Sequence, residues 1–404
     1  MTPKPADPQD RPPGPTARVP LWLIALFTLT GPIAMHMLVP ALPHAARDLG
    51  TSAAAMQLTI SLYILGMAVG QLGYGPVSDR FGRRPVLMAG LGLYAIAGMA
   101  AALAPNVQAL IVARVFQAFG GGAGLALGRA IVRDTAGPSD VARRLALMNL
   151  MVTLGPGMAP VIGGVLAASF GWRAIFVSLG ALGVVNLIFL WRLLPETRPV
   201  ADNVSTTTIL HDYGNLLRSP AFVGYAIGGG CATTSMYAFV AAAPFILVEE
   251  LHRPAYEVGI YLGLLVGGFS LGTILATRLI PGIPIAKLLA RSSLLSALAA
   301  FSFLGAALSG HLSVALAVIP MIVFTVGAGI SSPTALTEAL GVNARIVGSA
   351  SGLYGSAQMG IGALCAGLVA LGNDPALTAG IILASASVIG QLAFWIGARS
   401  RSRT

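Results

Sequence analysis

From Val19 onward the chain reads as a series of long apolar runs separated by short breaks rich in charge, proline and glycine. A helix rises about 1.5 Å per residue and the hydrocarbon core of a bilayer is about 30 Å thick, so a run of about twenty apolar residues is the length that spans it. The breaks predict spans over 19–42, 54–77, 84–104, 107–129, 143–168 and 171–193, then over 220–248, 255–279, 285–308, 312–338, 346–371 and 375–397. The runs are continuous and lack the apolar–polar alternation of a barrel strand, which predicts helices. The polar stretch 194–219 divides them into six and six. The expected fold is an all-α integral membrane protein with twelve transmembrane helices in two six-helix halves, 19–193 and 220–397. A disordered tail is expected over 1–18, a central loop over 194–219 and a basic tail over 398–404. Glycines and prolines fall at comparable places in the first span of each half: Gly31, Pro32, Pro40 and Pro43 in one, Gly228–Gly230 and Pro244 in the other. Both helices are expected to bend there.

Composition narrows the class without changing it. Hydrophobic residues make up 56% of the 404 positions and charged residues only 9%, against roughly a quarter in a soluble protein. A dispersed soluble surface and an unfolded chain are both excluded. A net charge of +10 is a feature of nucleic-acid binders, but its distribution here points to topology. Of the 24 Lys and Arg, twenty fall in the tails and breaks of one membrane face, and only Arg47, Arg173 and Arg253 fall on the other. That asymmetry predicts both termini in the cytoplasm. The first eighteen residues lack the pattern of a cleaved signal, and a full-length apolar run follows them. Cys231 and Cys365 both lie in apolar runs, so neither a disulfide framework nor a metal site is expected. There is no phosphate-binding glycine loop for ATP, and no catalytic set or cofactor is evident.

The break between spans 2 and 3 carries specific chemistry. Gly73 to Pro85 reads GYGPVSDRFGRRP, with Asp79, Arg80, Arg83 and Arg84 in one tight turn. Asp79 can pair with an arginine or face a neighbouring helix N-terminus. Gly75 allows close helix contact and Gly82 allows the turn. Such a clamp at the cytoplasmic rim would favour one conformation and break as a cavity opens. A plain positive loop would explain the arginines but not the aspartate or the glycine spacing.

Two ionisable residues lie within spans. Arg114 is seven residues into span 4, roughly 10 Å deep, with Gln117 on a nearby turn; an intramembrane arginine costs free energy unless it faces a cavity or a partner. His36 lies at a similar depth in span 1, where it could exchange a proton or form neutral hydrogen bonds. No central carboxylate accompanies them. In span 5, Gly155-Pro156-Gly157-Met158-Ala159-Pro160-Val161-Ile162-Gly163-Gly164 combines small residues that permit close packing with prolines that free backbone carbonyls.

Gly75-x-x-x-Asp79-Arg80-x-Gly82-Arg83-Arg84 resembles the signature loop of the major facilitator superfamily. More narrowly, Gln57-Leu58-Thr59, Gly70-Gln71, Gly128-Arg129-Ala130-Ile131-Val132-Arg133-Asp134 and Phe170-Gly171-Trp172-Arg173-Ala174-Ile175-Phe176 resemble the Bcr/CflA family of drug-resistance exporters. The resemblance implies a monomeric exporter of small organic compounds in the bacterial inner membrane, surrounded by lipid and driven by protons. It also implies a substrate or proton cavity that includes His36, Tyr63, Arg114, Gln117, Tyr237, Tyr261, Tyr354 and Gln358, and a likeness of the Gly155–Gly164 run to an antiporter motif. Family members usually carry an acid where this chain has His36. The direction of transport stays open, because the same fold also serves uptake and metabolite export.

Overall fold

The computed structural model describes residues 19–136, 141–197, 206–342 and 347–401. The tail 1–18 therefore lies outside the described residues, as do 198–205 of the central loop and 402–404 of the basic tail. The helices are α1 (Leu21–Met37), α2 (Leu42–Asp48), α3 (Ala53–Phe81), α4 (Arg83–Ala102), α5 (Val107–Thr135), α6 (Val141–Phe170) and α7 (Arg173–Leu193). They continue as α8 (Thr206–Leu217), α9 (Pro220–Thr234), α10 (Tyr237–Pro244), α11 (Ala255–Leu279), α12 (Ile285–Leu308), α13 (Val314–Leu340), α14 (Val347–Val369) and α15 (Pro375–Arg401). Among the described residues, eleven helical segments are long and apolar enough to cross a membrane, and Gly155–Phe170 is the apolar part of α6, the twelfth. The face bearing the arginine-rich breaks is called inner below, and the opposite face outer.

Helices start where the sequence offers caps. Ser52, Asn106, Ser219 and Ser313 accept hydrogen bonds from backbone amides in the first turns of α3, α5, α9 and α13, satisfying donors that a helix N-terminus leaves open. The first six spans pack among themselves and the last six do likewise. Glycine sets the closest approaches: a Cβ at Gly124 of α5 would lie 2.0 Å from the Phe27 carbonyl oxygen of α1, and one at Gly163 of α6 would lie 1.9 Å from that of Met37.

Span 1 breaks at a 3-10 turn, Val39–Ala41, and continues as α2. Span 7 breaks at Ser235–Met236 and ends in a π-helical turn, Phe245–Glu250. The bend expected at Gly228–Gly230 is absent. Those glycines lie inside α9, where Cβ atoms would meet Phe394, Tyr354 and Ile361 within 2.5 Å; they serve packing rather than bending. The central loop, expected as a polar connection, also contains a helix, α8. The last span runs to Arg401, past its expected end at 397.

Between the halves, the outer side is closed. The 3-10 turn packs against α10 and α11, and α2 packs against the π-helical turn. Gly259 of α11 sits over the Pro160 carbonyl of α6 on that side, and at mid-depth Ser356 of α14 donates to the Ala68 carbonyl of α3 at 3.1 Å.

Candidate functional site

Beneath that seal a cavity of about 260 Å³ lies between the halves. From the first half, Pro32, Met35 and His36 of α1, Met67 of α3, Leu125 and Arg129 of α5, and Val152 and Pro156 of α6 line it. From the second come Thr233, Thr234, Met236, Tyr237, Val266, Phe269, Ser332, Gln358 and Met359. Polar side chains of α1, α9, α13 and α14 thus reach the space from helices that are otherwise apolar. Gln358 donates to the Thr233 hydroxyl at 2.6 Å, and Thr234 donates to the Gln358 carbonyl at 2.7 Å, tying α9 to α14 at the cavity wall. The His36 and Tyr237 rings lie 6.2 Å apart, one from each half.

A second cavity of about 340 Å³ opens toward the inner face. Gln71, Gly75, Asp79, Arg83, Arg133, Tyr213 and Ser351 are among its lining residues, and Arg129 lines both cavities. Arg129 therefore lies where the central space and the inner vestibule adjoin.

Three of the eight expected cavity residues line the central space and five lie elsewhere. His36, Tyr237 and Gln358 line the central space. Tyr63, Arg114 and Gln117 lie inside the first half: Arg114 has no exposed surface, donates to the Ala34 carbonyl at 3.0 Å and to Gln117 Oε1 at 2.8 Å, and stacks 3.8 Å from the Tyr63 ring centre. The Tyr63 hydroxyl in turn donates to the Gly31 carbonyl at 2.9 Å. Tyr354 is buried in the second half against Gly229. Tyr261 lies near the outer end of α11, where its hydroxyl bonds Glu257 at 2.8 Å. In span 5, Pro156 reaches the cavity, Gly155 packs under Leu29, Pro160 meets Gly259 across the halves, and Gly163 and Gly164 are buried.

The inner loop is built differently from a clamp between halves. Gly82 makes the turn at φ +92°. Arg83 pairs with Asp79 at 2.7 Å and with Asp134 of α5 at 2.9 Å, while Arg84 donates to the Trp191 carbonyl of α7 at 2.7 Å. Arg80 is exposed beside the Phe81 ring. The named partners belong to the first half, and these ion pairs are intact although the vestibule is present. The close contact expected at Gly75 is also absent here, since a Cβ there would meet nothing within 4 Å. Glu196 holds the turn from the far side: its two carboxylate oxygens accept from the Arg83 and Arg84 amides at 2.8 and 3.1 Å, capping α4. At the outer rim, Asp48 accepts from Trp172 at 2.9 Å and from Arg173, fixing the turn that Gly171 makes at φ +82°.

Sequence reasoning missed Arg129 and Glu196. Arg129 carried a signal in its spacing: Leu125, Ala126, Arg129, Ala130 and Arg133 recur at helical intervals, and all face the two cavities. Glu196 carried none, because its partners lie over a hundred positions away.

A family model described as Major Facilitator Superfamily matches residues 24–367. The chain is 30% identical over 384 residues to the uncharacterized MFS-type transporter YdgK of Bacillus subtilis, covering 93% of this chain and 94% of that one. It is 30% identical to multidrug resistance protein D of Escherichia coli, covering 84% and 85%, and 26% identical to a bicyclomycin resistance protein homolog of Haemophilus influenzae, covering 92% and 94%. Among solved structures, a point mutant of the nucleoside transporter NupG superposes with a TM-score of 0.75 at 18% identity, over 93% of this chain and 99% of that one.

Proposed function

The chain belongs to the Major Facilitator Superfamily, and from that premise we propose that it exports small organic compounds across the bacterial inner membrane in exchange for protons. The observation that carries this reading is the cavity between the halves: it is roofed on the outer side and joined at Arg129 to a vestibule on the inner side. Such a cavity matches one of the two states of alternating access, in which a fixed site between rocking halves faces one side at a time. Relatives named for multidrug and bicyclomycin resistance support export as the direction. In this reading the protein works as a monomer, and the arginine asymmetry supports both termini in the cytoplasm.

In the cycle, a compound enters from the inner vestibule and fills the space between His36 and Gln358; the halves then rock and release it outside. No carboxylate lines the described part of the cavity. His36 is therefore the group that accepts the returning proton in the outward-facing state, where water reaches its ring. The test uses purified protein in liposomes loaded with a pH-sensitive dye, with bicyclomycin as the first compound. Proton movement that depends on the compound, and that His36→Asn removes, is the expected result. Proton flux unchanged in that variant would remove His36 from the role. A wild type that moves neither compound nor protons, and that confers no tolerance on a drug-sensitive host, would sink the exporter reading.

A further inference from the structure

The two cavities are unusual in the balance of their charges. Among the described residues lining the central space, Arg129 is the one permanently charged side chain and there is no carboxylate. Among the described residues lining the vestibule the acid is Asp79, which pairs with Arg83, so Arg129 and Arg133 remain there as excess positive charge. Among the described residues, no hydrogen bond or ion pair engages either guanidinium. They lie one helical turn apart, where like charges repel.

Two bland explanations fall short. Topology accounts for arginines at a membrane rim, and the partial negative charge at a helix C-terminus favours a cation in its last turn. Both cover Arg133, which is in the last turn of α5. Arg129 is six residues short of Thr135, about 9 Å further in. There an unpaired guanidinium is tolerated only where it faces water or a partner, and the cavities that Arg129 lines give an anion room to take that place.

We propose that the cavity binds organic anions: an acidic group on Arg129, and an apolar body against Met35, Met67, Phe269 and Met359. The planar fork of an arginine matches a carboxylate, sulfonate or phosphate ester with two parallel hydrogen bonds. The methionines and the phenylalanine give an adaptable apolar wall for the rest of the molecule. At about 260 Å³ the space lies at the small end for a ligand pocket, which suits an acid with a single ring or a short chain. Gln358 and Thr233 supply polar contacts at the far wall, so the ligand is held with its acid toward the inner vestibule. This inference rests on the exporter reading only in taking the cavity as the substrate's.

The test titrates the full-length protein in nanodiscs with phenylbutyrate, phenylbutyramide and phenylbutylamine, which share a ring and chain but differ in charge. Phenylbutyrate is expected to bind at least about tenfold more tightly than the amide, and the amine more weakly still. Arg129→Gln should erase the acid's advantage and Arg129→Lys should keep part of it. Leu125→Glu, which sets a carboxylate one turn from Arg129 on the same wall, should erase it independently. Absence of saturable binding by the acid, an amide or amine that binds as tightly, or a monodisperse Arg129→Gln protein that keeps the full preference would each overturn the proposal. Liposome transport separates the two readings. Movement of the amine with no preference for the acid removes the anion site and leaves the exporter; an Arg129-dependent preference for the acid in a protein that transports nothing leaves the site and removes the exporter.

Discussion

Helix α5 has two faces with opposite roles. On one, Arg114, Gln117, Gly121, Gly124 and Gly128 follow each other at helical spacing and are buried against the first half. The charge there is enclosed within its own bundle: Arg114 Nη1 donates to Ala34 and Gln117 and the guanidinium stacks on the Tyr63 ring, while Nε and Nη2 are buried with no hydrogen-bond partner among the described residues. The glycines let α1 ride directly on the α5 backbone. On the other, Leu125, Arg129 and Arg133 border open space and bind nothing described. Two arginines fifteen positions apart on one helix thus differ in kind. The first is enclosed within one half and hydrogen-bonded through Nη1 alone; the second borders the open space between the halves. Intramembrane charge alone does not mark a ligand site, and the test is whether open space reaches it: Arg114 has no exposed surface, whereas Arg129 lines both cavities.

The largest effect that could break this contrast is steric. Gly124→Val would drive a side chain into the Phe27 carbonyl, and overpacking against backbone leaves little room to relax. Loss of about 3 kcal/mol or more is expected, seen as little folded protein on gel filtration. Ala130→Val, on the cavity-facing side, should stay within about 0.5 kcal/mol of wild type. Similar thermal midpoints for the two variants would mean that α5 is not packed as described.

Next in size is Arg83→Gln. It strips the guanidinium from Asp79 and Asp134, whose side chains are only 23% and 19% exposed, leaving two poorly solvated acids. A loss of about 2 kcal/mol is expected, read as a lowered thermal midpoint. Because both acids belong to the first half, the drop should be the same with and without a cavity ligand. A drop that bound phenylbutyrate abolishes would show instead that the cluster tracks the transport state.

A smaller change probes the interior face alone. Tyr63→Phe removes the hydroxyl that donates to Gly31 but keeps the ring under Arg114. It should cost about 1 kcal/mol and leave phenylbutyrate affinity unaltered, since Tyr63 has no exposed surface. An affinity loss of about tenfold would place Tyr63 on the ligand path and erase the distinction between the faces.

These residues also show what a sequence can reveal in a membrane chain. Span number and length were legible because bilayer thickness dictates them, and the depth of Arg114 and His36 followed from counting. The side each residue faces was not legible. A helix packed among helices and lipid is apolar all round, so hydrophobicity gives no direction, and Arg114 and Arg129 look alike. Arg129 was further hidden by its place at the expected end of span 4, where an arginine reads as topology; in the structure α5 continues to Thr135 and draws it inside. Helix α8 carried an apolar pattern, with Ile209, Leu210, Tyr213, Leu216 and Leu217 at helical spacing, that the surrounding polar residues obscured. The break in span 7 fell at Ser235–Met236 rather than at the glycines because those glycines are needed for contacts with α14 and α15.

The smallest predicted effect concerns Glu196, the partner least visible in sequence. Its carboxylate accepts from two amides at the start of α4 and lies so close to Gly82 that a Cβ there would stand 2.6 Å from it. A negative charge at a helix N-terminus is worth about 0.3–1 kcal/mol. Glu196→Gln keeps one acceptor but loses the charge, so the thermal midpoint should fall by only that much, and less in high salt. Gly82→Ala should be worse than Glu196→Gln, because it strains the backbone at φ +92° and also pushes the cap away. Combining the two should cost less than the sum of the separate losses, since the first substitution already disturbs the contact that the second removes. Full additivity would separate the turn from its cap and leave Gly82 there for its backbone alone.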